Sequence, residues 1–550
     1  MTQMTGGEVV AATLARIGVR HVFGIVSVHN LPIYDALSLR DDIKVVNVRH
    51  EQAAAHAADA YSRASGELCV VLTSTGPGAV NAVAGLYEAA FVSSKVLMIT
   101  GQIESRFRGK GKGFLHEHET QAEMLRTICR QVSSIRHGEE ISKEIARVAD
   151  DIRFGRPQPG AVEIPIDLQY KMVDCEVVGT REVPSLVPDE SLLEEAARQL
   201  SKAERPIIWA GGGVNIANGS KALTALAEIL GAPVMTTIEG RGSIAEDHEL
   251  SLGFCSDRPI MAEAFEEADL VLAVGTRFQN YATKVWTLPL PDHLIHIDAD
   301  AGVINRNYSS SLPIVGDARL SLEGISERLT SSSVDNQFLE RLKKRKRADQ
   351  EELLTEIGPD HAAIVSIIRT ILPRDGRIVR DSTVPNYTWG NRLLPVLESR
   401  TSIRSASSAI GPGLPLGIGA ALGSDAPTVI IQGDGGLMLS IGELAACAEH
   451  QIPVTICVFN DSGYGVLRII QDSVYGHRHG TDLPKNDFVK IAEGMGVKAE
   501  HVRGTDEFEK AFTRAILNPG PTLLDIDMTY LAPIKFPLPA HQRKKSDQHL

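Results

Sequence analysis

No CxxC pair occurs among the six cysteines, Cys69, Cys129, Cys175, Cys255, Cys447 and Cys457, so neither a zinc ribbon nor a dithiol redox site is expected. They read as buried thiols of a reducing compartment. No run of eighteen apolar residues occurs, which excludes a membrane-spanning helix recognisable by hydropathy. The opening stretch, MTQMTGGEVVAATLARIG, has no basic segment ahead of a long apolar core, and a cytoplasmic location is expected. Positive charge is also scarce: 56 Lys and Arg face 69 Asp and Glu, leaving a net charge of −13. A broad nucleic-acid or membrane surface is therefore not expected. Short-period repeats are absent as well.

What is present is ordinary globular material. The chain has 550 residues, 43% hydrophobic and 23% charged, enough for three or four domains of ~150 residues. Short apolar runs such as CVVLT and KVLMIT alternate with longer helix-like stretches such as EQAAAHAADAYSRA. That alternation predicts buried parallel strands in an α/β fold. The rhythm pauses between Val173 and Pro188, restarts with RPIIWAGGG, APVMTT, ADLVLAVGT and HLIHIDAD, and runs a third time through DGRIVRDS, PTVIIQGDGG, VTICVFNDSG and PTLLDIDM. Three doubly wound parallel-sheet domains are expected, over residues 1–172, 188–334 and 355–532, followed by a basic tail over 533–550. The charged stretch Asn336 to Leu354 reads as a solvated linker helix, because acidic residues follow its basic run at helical spacing.

Chemistry is carried by Gly433-Asp434-Gly435-Gly436 after one apolar strand and by Asn460-Asp461-Ser462-Gly463 after a second. A carboxylate at each strand end can hold a hard Mg²⁺ or Ca²⁺ whose remaining ligands are diphosphate oxygens, a backbone carbonyl and water. Glycines beside them let backbone N–H groups approach phosphate. Asp and Gly at strand ends are also common turn formers.

The two stretches together resemble the diphosphate motif of thiamin-diphosphate enzymes, with Asp461 where the family's second Asn usually stands. The resemblance extends along the chain to the acetolactate synthase and 2-oxoacid decarboxylase group, through VRHEQAAAHAADAYSRASG, LTSTGPGAVNAVAGL, GRPQPGAVEIPIDL, IHIDADAGVINRN and SSAIGPGLPLGIGAALG. It implies a pyrimidine-binding first domain, a central nucleotide-binding-like domain and a diphosphate-binding third domain. It implies thiamin diphosphate and Mg²⁺ as cofactors, with Asp434, Asp461 and the Gly463 carbonyl on the metal. Glu51 is implied as the carboxylate on the cofactor's pyrimidine, and Ile410 as the apolar wedge beneath the cofactor. Further cofactor contacts are implied at Pro77, Asn81, Thr383, Val384, Gly433, Gly435, Gly436, Tyr464 and Gly465. Because family sites lie between subunits, a homodimer or homotetramer is implied.

Three departures bear on substrate. GQIESRFRGKGKGFLHEHETQ replaces the family's G-x-x-x-FQE loop, putting His116 and Glu117 near the reacting carbon, where an imidazole can exchange protons at neutral pH. FGIVSVHNLP replaces GxPG and resembles the GVVGIP of oxalyl-CoA decarboxylase and 2-hydroxyacyl-CoA lyase, so that Val28 lines the pocket. Those relatives cover a CoA ester with a C-terminal tail, and Arg543, Lys544 and Lys545 are placed to meet its phosphates. The central domain holds FAD in acetolactate synthases and ADP in oxalyl-CoA decarboxylase. VGTRFQNYA, in place of GARFDDR, favours ADP over FAD. His477 and His479 are secondary candidates. The leading expectation is a carbon–carbon lyase that cleaves a 2-hydroxyacyl-CoA to an aldehyde or ketone and formyl-CoA. The alternative is a decarboxylase or an acetolactate or acyloin synthase acting on free 2-oxo acids.

Overall fold

A computed structural model describes residues 2–181, 185–254 and 258–536. The first unit contains β1 (Thr2–Thr5), β2 (His21–Gly24), β3 (Lys44–Asn47), β4 (Cys69–Thr73), β5 (Val96–Gln102), β6 (Gln131–Ser134), β7 (Gly160–Pro165) and β8 (Met172–Cys175). Strands β2 to β7 form a sheet in the order β3-β2-β4-β5-β7-β6, every pairing parallel. Strands β4, β5 and β7 are buried along their whole length, which is why their sequences are unbroken apolar runs rather than alternating ones. β1 pairs antiparallel with β8, so the chain of this unit runs past residue 172.

The central unit contains β9 (Pro206–Ala210), β10 (Val234–Thr236), β11 (Ser251–Phe254), β12 (Leu270–Val274), β13 (Leu294–Asp298) and β14 (Leu312–Val315) in the parallel order β11-β10-β9-β12-β13-β14. The third contains β15 (Arg377–Arg380), β16 (Ser402–Arg404), β17 (Thr428–Gly433), β18 (Val454–Asn460), β19 (Lys498–Val502) and β20 (Thr522–Asp527) in the parallel order β16-β15-β17-β18-β20-β19. Numbered by appearance, the first and third sheets both read 2-1-3-4-6-5, whereas the central sheet reads 3-2-1-4-5-6, the Rossmann order.

The first and third units share one apolar core. The helix Glu51–Ser65 is buried through Ala53, Ala54, Ala55, Ala57, Ala58 and Ala60, and that core continues through Leu414, Ile418, Ile430 and Ile456 of the third unit. Small residues permit the approach: a Cβ on Gly419 of the helix Gly413–Leu422 would lie 1.9 Å from the Ala57 carbonyl oxygen. The charged stretch after residue 335 is helical through Asn336–Ile371, with its break at Gly358, φ 77°, just before Pro359. It is more than a solvated linker. Phe338 and Leu342 are buried in the central core, while Arg341 pairs with Glu267 at 2.8 Å and Arg345 with Glu263 at 3.3 Å. An apolar stripe hidden by the surrounding charge explains the difference. Among the described residues no helix is long and apolar enough to cross a membrane. The described cysteines, Cys69, Cys129, Cys175, Cys447 and Cys457, are buried and free.

Candidate active site

Parallel pairing sets Gly433 of β17 opposite Phe459 of β18, so the loops that follow these strands leave the sheet side by side. Asp434 begins the short helix Asp434–Leu437, and its Oδ2 accepts from the Gly463 N–H at 2.9 Å while Oδ1 accepts from the Asp461 N–H at 3.4 Å. Burial raises the Asp434 pKa, and the charge of Asp461 raises it further. Burial also raises Asp461, against the lowering pull of Arg468. A buried carboxylate beside a half-buried one, with Arg468 3.7 Å from Asp461 Oδ2, resists joint ionisation and makes a site that gains from further positive charge. Glycine suits both positions: a Cβ on Gly463 would fall 2.4 Å from the Thr481 carbonyl oxygen, and one on Gly465 would fall 2.3 Å from Asp461 Oδ2.

These residues border a cavity of about 210 Å³, also lined by Thr383, Val384, Ile410, Gly433, Gly435, Gly436, Tyr464 and Gly465. Ser382, Tyr387, Ser408, Leu467 and Met528 line it too. Sequence reasoning missed these five, because they are spread over the segments that follow β15, β16, β18 and β20 and share no motif. Asp381, at the end of β15, was missed as well. Its Oδ2 accepts from Gly411 N–H at 3.0 Å and from Gln432 Nε2 at 2.9 Å, holding the backbone beside Ile410, and burial pushes its pKa up to about 6. A buried Asp directly after the apolar IVR run was the available signal. All the cavity-lining residues lie between Ser382 and Met528.

A second constellation sits on the first unit. Glu51 opens its helix behind His50, whose ring accepts from the Gln52 N–H, so the carboxylate stands at the favourable end of the helix dipole. Its Oε2 accepts from Asn81 Nδ2 at 3.1 Å. Its Oε1 lies 3.1 Å from where a Cβ on Gly78 would be. Pro77 starts the helix Pro77–Val92 and is exposed, as is Asn81. The buried Tyr34 hydroxyl has no partner, and its pKa is raised first by burial and then by Glu51. Across the Gly76–Gly78 turn lies His116, in the left-handed region with φ 63°, its carbonyl oxygen 2.7 Å from a notional Cβ on Gly76. Glu117 Oε2 accepts from the Phe114 N–H at 2.8 Å, and its Oε1 is buried without a partner. Val28 is 64% exposed on the loop after β2. His477 and His479 are exposed and do not line the cavity.

Both constellations belong to sequences with known relatives. The family described as thiamine pyrophosphate enzyme, N-terminal TPP binding domain, matches residues 4–126; the central domain of the same family matches 193–325, and its C-terminal TPP binding domain matches 384–526. The chain is 32% identical to the probable acetolactate synthase large subunit of Methanocaldococcus jannaschii, over 95% of this chain and 92% of that protein. The chain belongs to the thiamine pyrophosphate enzymes.

This thiamine pyrophosphate enzyme is also 33% identical to the probable 2-ketoarginine decarboxylase of Pseudomonas aeruginosa, over 95% of this chain and 94% of that one. It is 30% identical to the acetolactate synthase of Arthrospira platensis, over 96% and 94%. A further cavity of the enzyme, about 330 Å³, lies where the three units meet and is lined by Lys95, Arg153, Arg156, Arg277 and Arg404 together with Glu239, Asp298 and Asp317. Burial, then the charge of Arg156, brings Arg277 down to about 10, and burial pushes Asp298 up to about 6. The GGG turn after β9 borders this cavity, yet its glycines also serve packing: a Cβ on Gly211 would lie 2.2 Å from the Gly275 carbonyl oxygen. Arg543, Lys544 and Lys545, expected to meet CoA phosphates, lie outside the described residues.

Proposed function

We propose that this thiamine pyrophosphate enzyme acts on a free 2-oxo acid, removing its carboxylate as carbon dioxide and either releasing an aldehyde or joining the remaining acyl unit to a second carbonyl. The observation that carries this reading is similarity at 32–33% identity over 95% of the chain to two proteins, one named for acetolactate synthesis and one for decarboxylation of 2-ketoarginine. Neither name involves a CoA ester, so the 2-hydroxyacyl-CoA lyase expectation yields to its alternative.

In this reading Asp434, Asp461 and the Gly463 carbonyl hold Mg²⁺, and the Gly435 and Gly436 backbone receives the diphosphate. The carboxylates fit the ion, because a divalent cation supplies the positive charge that burial leaves them short of. Among the described residues no group of three or more His, Cys, Asp or Glu is arranged for a metal. Phosphate oxygens and water therefore complete the shell, as is usual for Mg²⁺. Once bound, thiamin diphosphate supplies the nucleophilic carbon and the electron sink for breaking the carboxylate bond. Glu51 holds a proton at the pyrimidine, oriented by Asn81. Ile410, Thr383, Val384, Tyr464 and Gly465 shape the wall, and Pro77 closes the turn beside Glu51. His116 and Glu117 face the reacting carbon and Val28 the substrate's far end.

The complete site takes one constellation from each of two chains, so the working form is a homodimer or a homotetramer built from such dimers. Exposed apolar residues flank both halves, Val26, Leu31, Val80 and Leu115 on one and Met438, Leu439 and Leu467 on the other, which suits burial by a second copy. The cation-rich second cavity suits ADP, with arginines for the phosphates. At about 330 Å³ it sits near the small end of ligand pockets, which disfavours the larger FAD. Chromatography of nucleotides released on denaturation tests this, a flavin being the opposing result.

Product analysis tests the main reading. With thiamin diphosphate and Mg²⁺, a panel including pyruvate and 2-ketoarginine is expected to yield carbon dioxide, while short 2-hydroxyacyl-CoAs stay intact. Removal of residues after Phe536 is expected to leave free-acid turnover unchanged. Formyl-CoA appearing from the CoA esters overturns the reading.

A further inference from the structure

The loop after β2 carries a second imidazole that the constellation around Glu51 does not account for. The His29 and His116 rings lie with centroids 5.0 Å apart. They come from loops that follow β2 and β5. His29 is 4% exposed, and the Nδ1 atoms of both rings are buried without a hydrogen-bond partner. The backbone fixes His29 firmly: its N–H donates to Ser27 Oγ at 3.1 Å and its carbonyl accepts from Gln169 Nε2 at 2.9 Å. His116 holds a left-handed conformation, φ 63°. Backbone strain of this kind persists where surrounding structure enforces it and concentrates at functional sites. His116 packs against the Gly76 turn, two residues from the Gly78 that lies beside Glu51.

We propose that His29 and His116 work as a proton-sharing pair in which His116 protonates the substrate carbon and His29, as a positioning residue, fixes the ring and its charge, so that decarboxylation ends in a free aldehyde rather than an acyloin. The proposal rests on the free 2-oxo acid reading. Two imidazolium cations with ring centroids 5.0 Å apart are unfavourable, so the pair carries at most one proton. Consistently, His29 is lowered by burial first and by His116 second. Ionisable groups on the packed elements include Glu51 at its helix start, Glu117, His118 and Glu119 on the His116 loop, Tyr34 on the helix Leu31–Ser38, Asp167 on the helix Ile166–Tyr170, and Glu163 on β7. Glu163 is already paired with Arg108 at 3.2 Å.

The step balances without an outside oxidant or reductant. The bond to the carboxylate breaks and its electron pair stays on the former carbonyl carbon. His116 gives a proton to that carbon, forming a C–H bond and keeping the N–H pair on a neutral ring. As the aldehyde carbonyl forms, the substrate hydroxyl proton returns to the imidazole, and the electron pair that tethered the carbon goes back to the cofactor. The one proton taken up overall enters at the substrate's carbonyl oxygen, from solvent.

Two experiments on the full chain decide the matter. With the ring carbons of histidine ¹³C-labelled, titration of the apoenzyme is expected to show coupled behaviour, His29→Gln moving the His116 midpoint and His116→Gln moving that of His29. Independent titration overturns the pair whatever the substrate. In the loaded enzyme with its best 2-oxo acid, His116→Gln is expected to lower aldehyde formation about 100-fold. His29→Leu is expected to shift the alkaline limb of the kcat profile, where His116 loses the proton it donates, and raise the acyloin share, with KM within about twofold, while His29→Gln restores part of the aldehyde share. Unchanged pH profile and product ratio in a folded His29→Leu enzyme reduce His29 to packing and overturn the proposal. A wild-type enzyme inert to every 2-oxo acid overturns the functional reading instead, and leaves the titration to judge the pair.

Discussion

The first and third units lay six strands in the same order, 2-1-3-4-6-5, and present their functional side chains at corresponding places. In the first unit the loop after β2 carries His29, the turn after β4 carries Gly76–Gly78, and the loop after β5 carries His116. In the third, Thr383 follows β15, Asp434 follows β17 and Asp461 follows β18. Each trio surrounds the point where connections from neighbouring strands diverge to opposite faces, the place where open parallel sheets receive ligands. The chemistry there is opposite in kind. The third unit offers two adjoining carboxylates, one buried and one half-buried, whereas the first offers imidazoles and a glutamate at a helix start. Topology supplies the crevice and the side chains decide what it binds, so one architecture can carry two chemically different constellations.

Breaking the third half should have the largest effect. Asp434→Ala is expected to abolish Mg²⁺-dependent cofactor binding in calorimetry and to lower turnover on the order of 1,000-fold or more, because the proposed metal site would lose one of its two carboxylates. Breaking the first half is expected to cost less. Glu51→Gln should lower kcat about 100-fold or more while cofactor affinity changes only a few-fold, because it removes a proton-handling group and not the anchor. Retained turnover in either variant would sink the corresponding assignment.

Mixing the two inactive variants sharpens the comparison. If each site joins a first half from one chain to a third half from its partner, mixed dimers regain one intact site of two, and random mixing returns about a quarter of wild-type activity. No recovery after verified subunit exchange would put both halves in one chain. The smallest expected effect is a pH dependence. Asp381, pushed up to about 6 in the folded protein by burial, binds its proton more tightly folded than unfolded. Its contribution is fully present below about 4 and lost as pH rises through about 6. Thermal melts of the apoenzyme should therefore show Asp381→Asn losing less stability than wild type between these limits.

Legibility differed between the two halves for a physical reason. Asp434, Asp461 and the glycines between and around them lie in two short stretches at strand ends, so spacing along the chain maps directly onto proximity in space. The Glu51 half is dispersed over the segments that follow four strands, β2 to β5. Asn81 and Glu51 are thirty residues apart, and His29 and His116 meet only because β2 and β5 flank β4. Val28 attracted notice through its motif, while the neighbouring His29 did not. The charged helix was misjudged for a similar reason: its basic run is conspicuous in sequence, but the burial of Phe338 and Leu342 depends on a groove that only the folded central unit provides.

The sequence by itself determined the three-fold α/β rhythm, through apolar runs that only doubly covered parallel strands can bury, and the family, through strand-end glycines and carboxylates whose spacing survives as local geometry. Tertiary structure alone decided that the first and third sheets share one strand order and that the central sheet differs. It also decided that two histidines from separate loops touch and that the cavity beside Asp434 is walled by the third unit. These depend on which strands become neighbours, and neighbours in a parallel sheet are brought together by long crossovers that no local pattern encodes.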